Sequence, residues 1–219
     1  MPATPLRIDI VSDVVCPWCI VGYRQLQQAV EATGTPVDIH WQPFELNPSM
    51  SAQGQNLGEH ITEKYGSSPA ESQANRDRLT DIGHDLGFTF SFAQDMRMHN
   101  TFNTHQLLHW ATLQGLGDRL KQALFVAHFT HRRDLSDTAV LADIAAETGL
   151  DRVDAVALLD DQRFAQAVRA DERFWTQQGI NGVPAMIFDR QHLVTGAQGV
   201  DNYTRILKQL AQAAETASE

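Results

Sequence analysis

The stretch DVVCPWCIVG, Asp13 to Gly22, holds both cysteines of this chain and constrains its fold more than any other segment. Upstream, RIDIVSDVV alternates at Ile8 and Ile10 and then turns continuously apolar, which predicts a buried strand over 7–14. Pro17 suits the first turn of a helix, where its missing N–H costs nothing, and Gly34 is a natural cap for a helix running to about Thr33. VDIHWQP then sets Val37, Ile39 and Trp41 against Asp38, His40 and Gln42, a second strand closed by Pro43. Strand, helix and strand in this order imply a parallel, right-handed unit.

The middle of the chain changes character. Residues 47–75 are rich in Gly, Ser, Asn and Gln and read as loop with short helix, and from His99 onward helical patterns dominate. DTAVLADIAAETG places Val140, Leu141, Ile144 and Ala145 on one face, and Phe164, Val168 and Trp175 mark a further helix. No strand pattern appears in this block. β structure returns near the end: AMIFD (185–189) and HLVTG (192–196) flank a tight turn at Asp189–Arg190. An amphipathic helix carrying Tyr203, Ile206, Leu207 and Leu210 follows, with Asp201 as its expected cap, and the tail ETASE is expected to fray. The expected architecture is therefore α/β, with one domain (1–46 and 179–219) interrupted by an all-helical insertion (47–178).

Composition narrows the function. A net charge of −10 argues against a general phosphate-backbone binder. Two cysteines in 219 residues are too few for a disulfide-stabilised secreted fold. The N-terminal stretch, with one basic residue and an apolar run broken by Asp9 and Asp13, does not read as a signal peptide, and no apolar run is long enough to span a membrane. The cytoplasm is the expected location, and neither nucleic acid nor membrane is an expected partner.

Three readings of the cysteine pair compete. A structural zinc site wants four ligands, and this C-x-x-C stands alone. His105 with His109, and His128 with His131, have ligand-compatible helical spacing, but no H-E-x-x-H accompanies them, so no metal is expected. Two inert core thiols are the second reading. A redox pair is the third and suits the context best. Cys16 at a helix N-cap meets unsatisfied amides and the positive helix end, which favour a thiolate and pull a cysteine pKa from about 8.5 down toward roughly 3.5–7.5. Cys19, almost one turn further in, is placed to resolve a mixed disulfide formed at Cys16. Pro17 stiffens the turn, and Trp18 shields one side. Far downstream, GINGVPAMIFD puts Val183–Pro184 immediately before a strand. A cis bond there would place the Val183 backbone beside the cysteines, where an extended peptide or glutathione could pair with it as an added strand.

These features together resemble the thioredoxin fold of the DsbA family, and in detail its FrnE-like branch. DVVCPWC, WQPFELNP (41–48), NTFNTHQLLHWA (100–111), ALFVAHFT (123–130) and GINGVPAMIFD with VTGAQ (179–198) carry the resemblance across nearly the whole chain. It implies a thiol–disulfide oxidoreductase with Cys16 as nucleophile, Cys19 as resolving thiol and Pro184 as the cis-proline after Val183. Its partners would be protein or small-molecule thiols and disulfides. No bound cofactor is expected, glutathione is a candidate co-substrate, and relatives make a homodimer a candidate assembly. A related branch, the kappa-class glutathione transferases and 2-hydroxychromene-2-carboxylate isomerases, shares fold and insertion but usually has serine where Cys16 stands and lacks the second cysteine. A glutathione-dependent isomerase or transferase is therefore the alternative reading. Trp41 and Phe44 are candidate groove residues set against an ordinary core role. His99, Asn100 and Asn103 are candidate site residues set against helix capping.

Overall fold

The computed structural model describes residues 5–216, so the fraying expected of the tail concerns residues that lie mostly outside them. Strand β1 (Leu6–Ser12) is followed by helix α1 (Pro17–Thr33) and strand β2 (Val37–Pro43). β1 and β2 are parallel, with Ile8 opposite Ile39 and Ile10 opposite Trp41. The helix ends where the alternation and cap chemistry require, with Gly34 in the left-handed region at φ 65°. β1 stops two residues earlier than its apolar run suggested, because Asp13 opens a turn in which its carbonyl accepts the Cys16 amide.

Near the C-terminus, strands β5 (Ala185–Phe188) and β6 (His192–Thr195) form a hairpin. Its two central residues, Asp189 and Arg190, take φ 50° and 57°. Two successive positive φ values give the turn whose twist matches that of the flanking strands. β5 pairs antiparallel with β1, so the sheet runs β2-β1-β5-β6. Helix α9 (Val200–Thr216) lies beside α1. Asp201 falls inside its first turn rather than at the cap, because Gly199 carries the change of backbone direction at φ 87°.

One sheet face buries Ile8, Ile10, Met186 and Phe188 against Ile20 and Leu26 of α1 and Tyr203 and Leu207 of α9. Each such side chain contributes roughly 1.5–3 kcal/mol by leaving water. The opposite face buries Val11, Ala185 and Ile187 under Phe44, Trp175 and Ile180.

Between β2 and β5 the chain is helical, as expected, apart from a two-residue ladder of β3 (Gln55–Asn56) with β4 (Arg97–Met98). Two residues are too short to show alternation. Within the stretch read as loop with short helix (47–75), helix α2 (Leu57–Tyr65) and the start of the 17-residue α3 (Pro69–Asp85) leave less loop than expected. The start of α3 has a readable cause: Ser68 and Glu71 form a reciprocal capping box around Pro69. Helices α4 (Phe102–Leu113), α5 (Gly117–Phe129), α6 (Thr138–Glu147), α7 (Arg152–Asp161) and α8 (Ala165–Gln177) complete the insertion. Their shared core, built on Leu107, Leu120, Leu124, Leu141, Ile144 and Leu158, also takes in Val14 and Val15. The two residues before Cys16 thus anchor the cysteine turn in the insertion.

Candidate active site

Cys16 is the residue that α1 begins after, with extended backbone at φ −91° and ψ 112° and Pro17 at the first helical position. It is 5% exposed, whereas Cys19 is fully buried. Both are free thiols. The Val183–Pro184 peptide is cis, and the Cys16 Sγ lies 3.7 Å from the Val183 carbonyl oxygen. Residues 167 positions apart therefore meet at the N-terminus of α1. Trp18 is half-buried against the core that holds both cysteines, and the Arg78 guanidinium sits over its ring at 5.6 Å.

The two thiols behave as one unit. The Cys16 S–H has two acceptors in reach, the Val183 carbonyl and the Cys19 sulfur. That bond to Cys19, and then burial, push the Cys16 thiol well above the ordinary range. For Cys19, burial opposes ionisation, but the Cys16 S–H and the Lys121 ammonium outweigh it and hold the thiol below its usual value. The Asp13 backbone and the Ser12 hydroxyl add to this, the latter being buried with no standard hydrogen-bond partner of its own. The sequence placed the lowered thiol at Cys16 on the strength of the helix dipole. In the structure the Lys121 ammonium favours ionisation of Cys19, and the Asp13 carboxylate works against a negative charge at Cys16.

Asp13 is fully buried, and its Oδ2 accepts the Leu46 amide at 2.7 Å. Its Oδ1 faces His105 Nε2 at 3.6 Å, beyond hydrogen-bond length, while that nitrogen lies 3.1 Å from the Phe44 carbonyl. Burial disfavours the Asp13 carboxylate. His105, the Leu46 amide and Lys121 more than offset this and keep its pKa below the usual range. Lys121 from α5 is 1% exposed. Burial pulls its pKa down to about 8, against the pull of Cys19, Asp13 and Cys16. None of Ser12, Asp13 or Lys121 was singled out as a site residue from sequence. A signal for Lys121 existed: it falls on the inward stripe of α5, four residues before the buried Phe125 and seven before the buried His128.

The remaining sequence candidates are placed as follows. Trp41 packs against Tyr23 at 4.9 Å and donates its indole N–H to Asp118 at 2.8 Å. Phe44 packs beneath the sheet with Val183. His99 is buried, 6.0 Å from the His128 ring, and faces Asp134 at 2.9 Å but off the line a hydrogen bond needs. Asn100 accepts the Phe102 amide at the start of α4, which is a capping contact. Asn103 accepts from Gln106 and Gln162. The side-chain oxygens of Asn100 and Asn103 thus each accept from a structural partner. Among the described residues there is no cluster of three or more His, Cys, Asp or Glu side chains arranged to hold a metal ion, and no helix is long and apolar enough to cross a membrane.

A dithiol at a helix start, faced by the peptide that leads into β5, on a four-stranded mixed sheet with a helical insertion, defines a thioredoxin fold. A DSBA-like thioredoxin domain profile matches residues 7–208, and the chain belongs to that family. A probable DsbA oxidoreductase from Streptomyces coelicolor superposes with a TM-score of 0.88 at 34% identity, covering 93% of this chain and 89% of that one. The uncharacterized protein YwbO of Bacillus subtilis is 25% identical over 203 residues, 92% of this chain and 96% of that protein. The cytosolic disulfide reductase DsbM from Pseudomonas aeruginosa, solved with GSH, shares the fold with a TM-score of 0.64 at 18% identity, over 94% of this chain and all of that one.

Proposed function

We propose that this protein exchanges disulfides with protein or low-molecular-weight thiols through Cys16 and Cys19. The observation that carries the reading is the Cys16 sulfur, at the mouth of α1 and 3.7 Å from the Val183 carbonyl. In the reducing direction Cys16 gives up its proton and its thiolate attacks a substrate disulfide. The substrate S–S bond breaks, one thiolate leaves, and a mixed disulfide forms. Cys19 then loses its own proton and attacks Cys16, releasing the second substrate thiolate. Two electrons pass from the pair to the substrate. The oxidising direction runs these steps backwards. An extended substrate pairs with the backbone at Val183, and its cysteine is thereby aimed at Cys16.

Glutathione is the low-molecular-weight substrate we propose, a choice supported by the GSH held in the DsbM structure. The cytoplasm is the proposed location, by the same likeness. The test is exchange of the reduced protein with glutathione disulfide or insulin. Cys16→Ser is expected to bring the rate to background, and Cys19→Ser to leave a trapped mixed disulfide at Cys16 visible by mass. Exchange that survives Cys16→Ser refutes the reading. Turnover of an aromatic substrate with glutathione that does not need Cys19 points instead to isomerase or transferase chemistry.

A further inference from the structure

Lys121 is a buried cation on α5, 1% exposed, and its ammonium has no hydrogen-bond or ion-pair partner among the described residues. Aromatic faces stand where acceptors would be expected: the nitrogen lies 5.1 Å from the ring centres of both Trp41 and Phe125. Asp13 acts on it only from beyond ion-pair distance. Burial lowers its pKa to about 8, which leaves it cationic at neutral pH. An ammonium taken out of water with its three N–H donors unused is costly, and such a group calls for an anion. The side chain lines a cavity of about 500 Å³ between β2, α4 and the start of α5, a volume suited to a small molecule. None of Cys16, Cys19, Val183 or Pro184 lines it, so it is distinct from the exchange site.

We propose that this cavity binds a small monocarboxylate with an apolar body, its carboxylate on the Lys121 ammonium and its body against Ile39, Trp41 and Leu108. The walls are built for this. Ile39, Trp41, Leu108 and Leu113 are apolar, and Trp41 is held in place because Asp118 Oδ1 accepts its indole N–H at 2.8 Å and the Tyr23 hydroxyl at 3.2 Å. The cavity also has acidic groups, and each of these has a partner in the fold. Asp118 has Trp41 and Tyr23, Asp38 has His40 Nε2 at 2.7 Å, and Asp171 faces His109 Nδ1 at 3.8 Å. Asp38 and Asp118 are exposed and Asp171 is partly so, and water screens them, whereas it does not screen Lys121. One negative charge therefore gains more at the buried cation than it loses at the mouth. A phosphate ester or a dicarboxylate brings a second charge that meets the three aspartates, so the cavity selects a single carboxylate.

Phenylacetate and its neutral amide, phenylacetamide, test the site, because they share a shape and differ in charge. The lysines of the chain are Lys64, Lys121 and Lys208, so NMR of the unmodified protein with labelled lysine follows each of them. Phenylacetate is expected to bind saturably, with a Kd of about 1 mM or tighter, and to move the Lys121 signal while Lys64 and Lys208 stay in place. Phenylacetamide is expected to bind at least about tenfold more weakly, and Lys121→Met to weaken phenylacetate by a similar factor while leaving the amide unaffected. Leu113, 66% exposed at the cavity, gives a second pair of variants that stands even if Lys121→Met fails to fold. Leu113→Lys is expected to tighten phenylacetate binding and Leu113→Asp to loosen it, each by about 2–5-fold. Acid and amide binding alike, a Lys121 signal unmoved by phenylacetate, or phenyl phosphate binding more tightly than phenylacetate overturns the inference. None of these readouts involves disulfide exchange, so their failure leaves that reading intact.

Discussion

Gly22 lies on the inner face of α1 where the helix passes closest to Pro184, and the space there sets a sharp expectation. A Cβ at this position would meet Met186 Cε at 3.4 Å, Pro184 Cγ at 3.4 Å and the Ala197 Cα at 3.5 Å, all ordinary contact. Gly22→Ala therefore fits, and it removes the entropy that glycine costs in a helix, a gain of about 0.5–1 kcal/mol. Gly22→Val adds two methyl carbons about 1.5 Å beyond that Cβ. Met186 Cε ends a flexible side chain and can yield. Pro184 Cγ is tied to its ring and the Ala197 Cα to the backbone, so the helix and the Val183–Pro184 segment must separate. Overpacking of this kind costs about 1–3 kcal/mol. The larger effect falls on the chemistry, because Val183 faces the Cys16 sulfur at 3.7 Å and a shift near 1 Å costs about 10²-fold in rate. Urea unfolding midpoints and glutathione-disulfide exchange rates, measured on wild type, Gly22→Ala and Gly22→Val, give the comparison. The Ala variant is expected to be at least as stable as wild type and equally active, and the Val variant to lose both properties. A Val variant with wild-type rate and stability, or an Ala variant as impaired as Val, refutes the reasoning.

Burial holds the His128 imidazole neutral down to about 3, against 6.5 when free. The unfolded chain binds more protons between those values, so folded stability is complete above about 6.5 and falls as pH drops through the window. The loss is about 2 kcal/mol from pH 7 to pH 5. His128→Phe is expected to flatten that part of a urea-midpoint-versus-pH curve, and an unchanged slope speaks against a buried neutral ring. The Tyr203 hydroxyl donates to the Gly196 carbonyl at 3.0 Å and ties α9 to the end of β6. Tyr203→Phe is expected to cost about 1 kcal/mol in chemical denaturation with no change in exchange rate. A silent substitution would mean the bond contributes nothing net.

Much of this molecule is legible along the chain because its causes are local. The alternation at Ile8 and Ile10, Pro17 at a helix start, Gly34 at its end and a turn of two positive φ residues each act over a few neighbours, and α1 and the β5–β6 hairpin appear where those residues put them. The CPWC spacing likewise places two thiols about one helical turn apart without help from the rest of the fold. Helix α3 was missed although Ser68 and Glu71 announce it, because polar composition masked a capping signal. Tertiary structure alone decided which charges surround the two sulfurs. The helix dipole acts at Cys16, while a lysine more than a hundred residues later, held among Trp41 and Phe125 on a helix of the insertion, adds a positive charge that favours ionisation of Cys19. Charge effects inside a protein depend on distance and desolvation in three dimensions, and neither quantity is written in the spacing of residues along a chain.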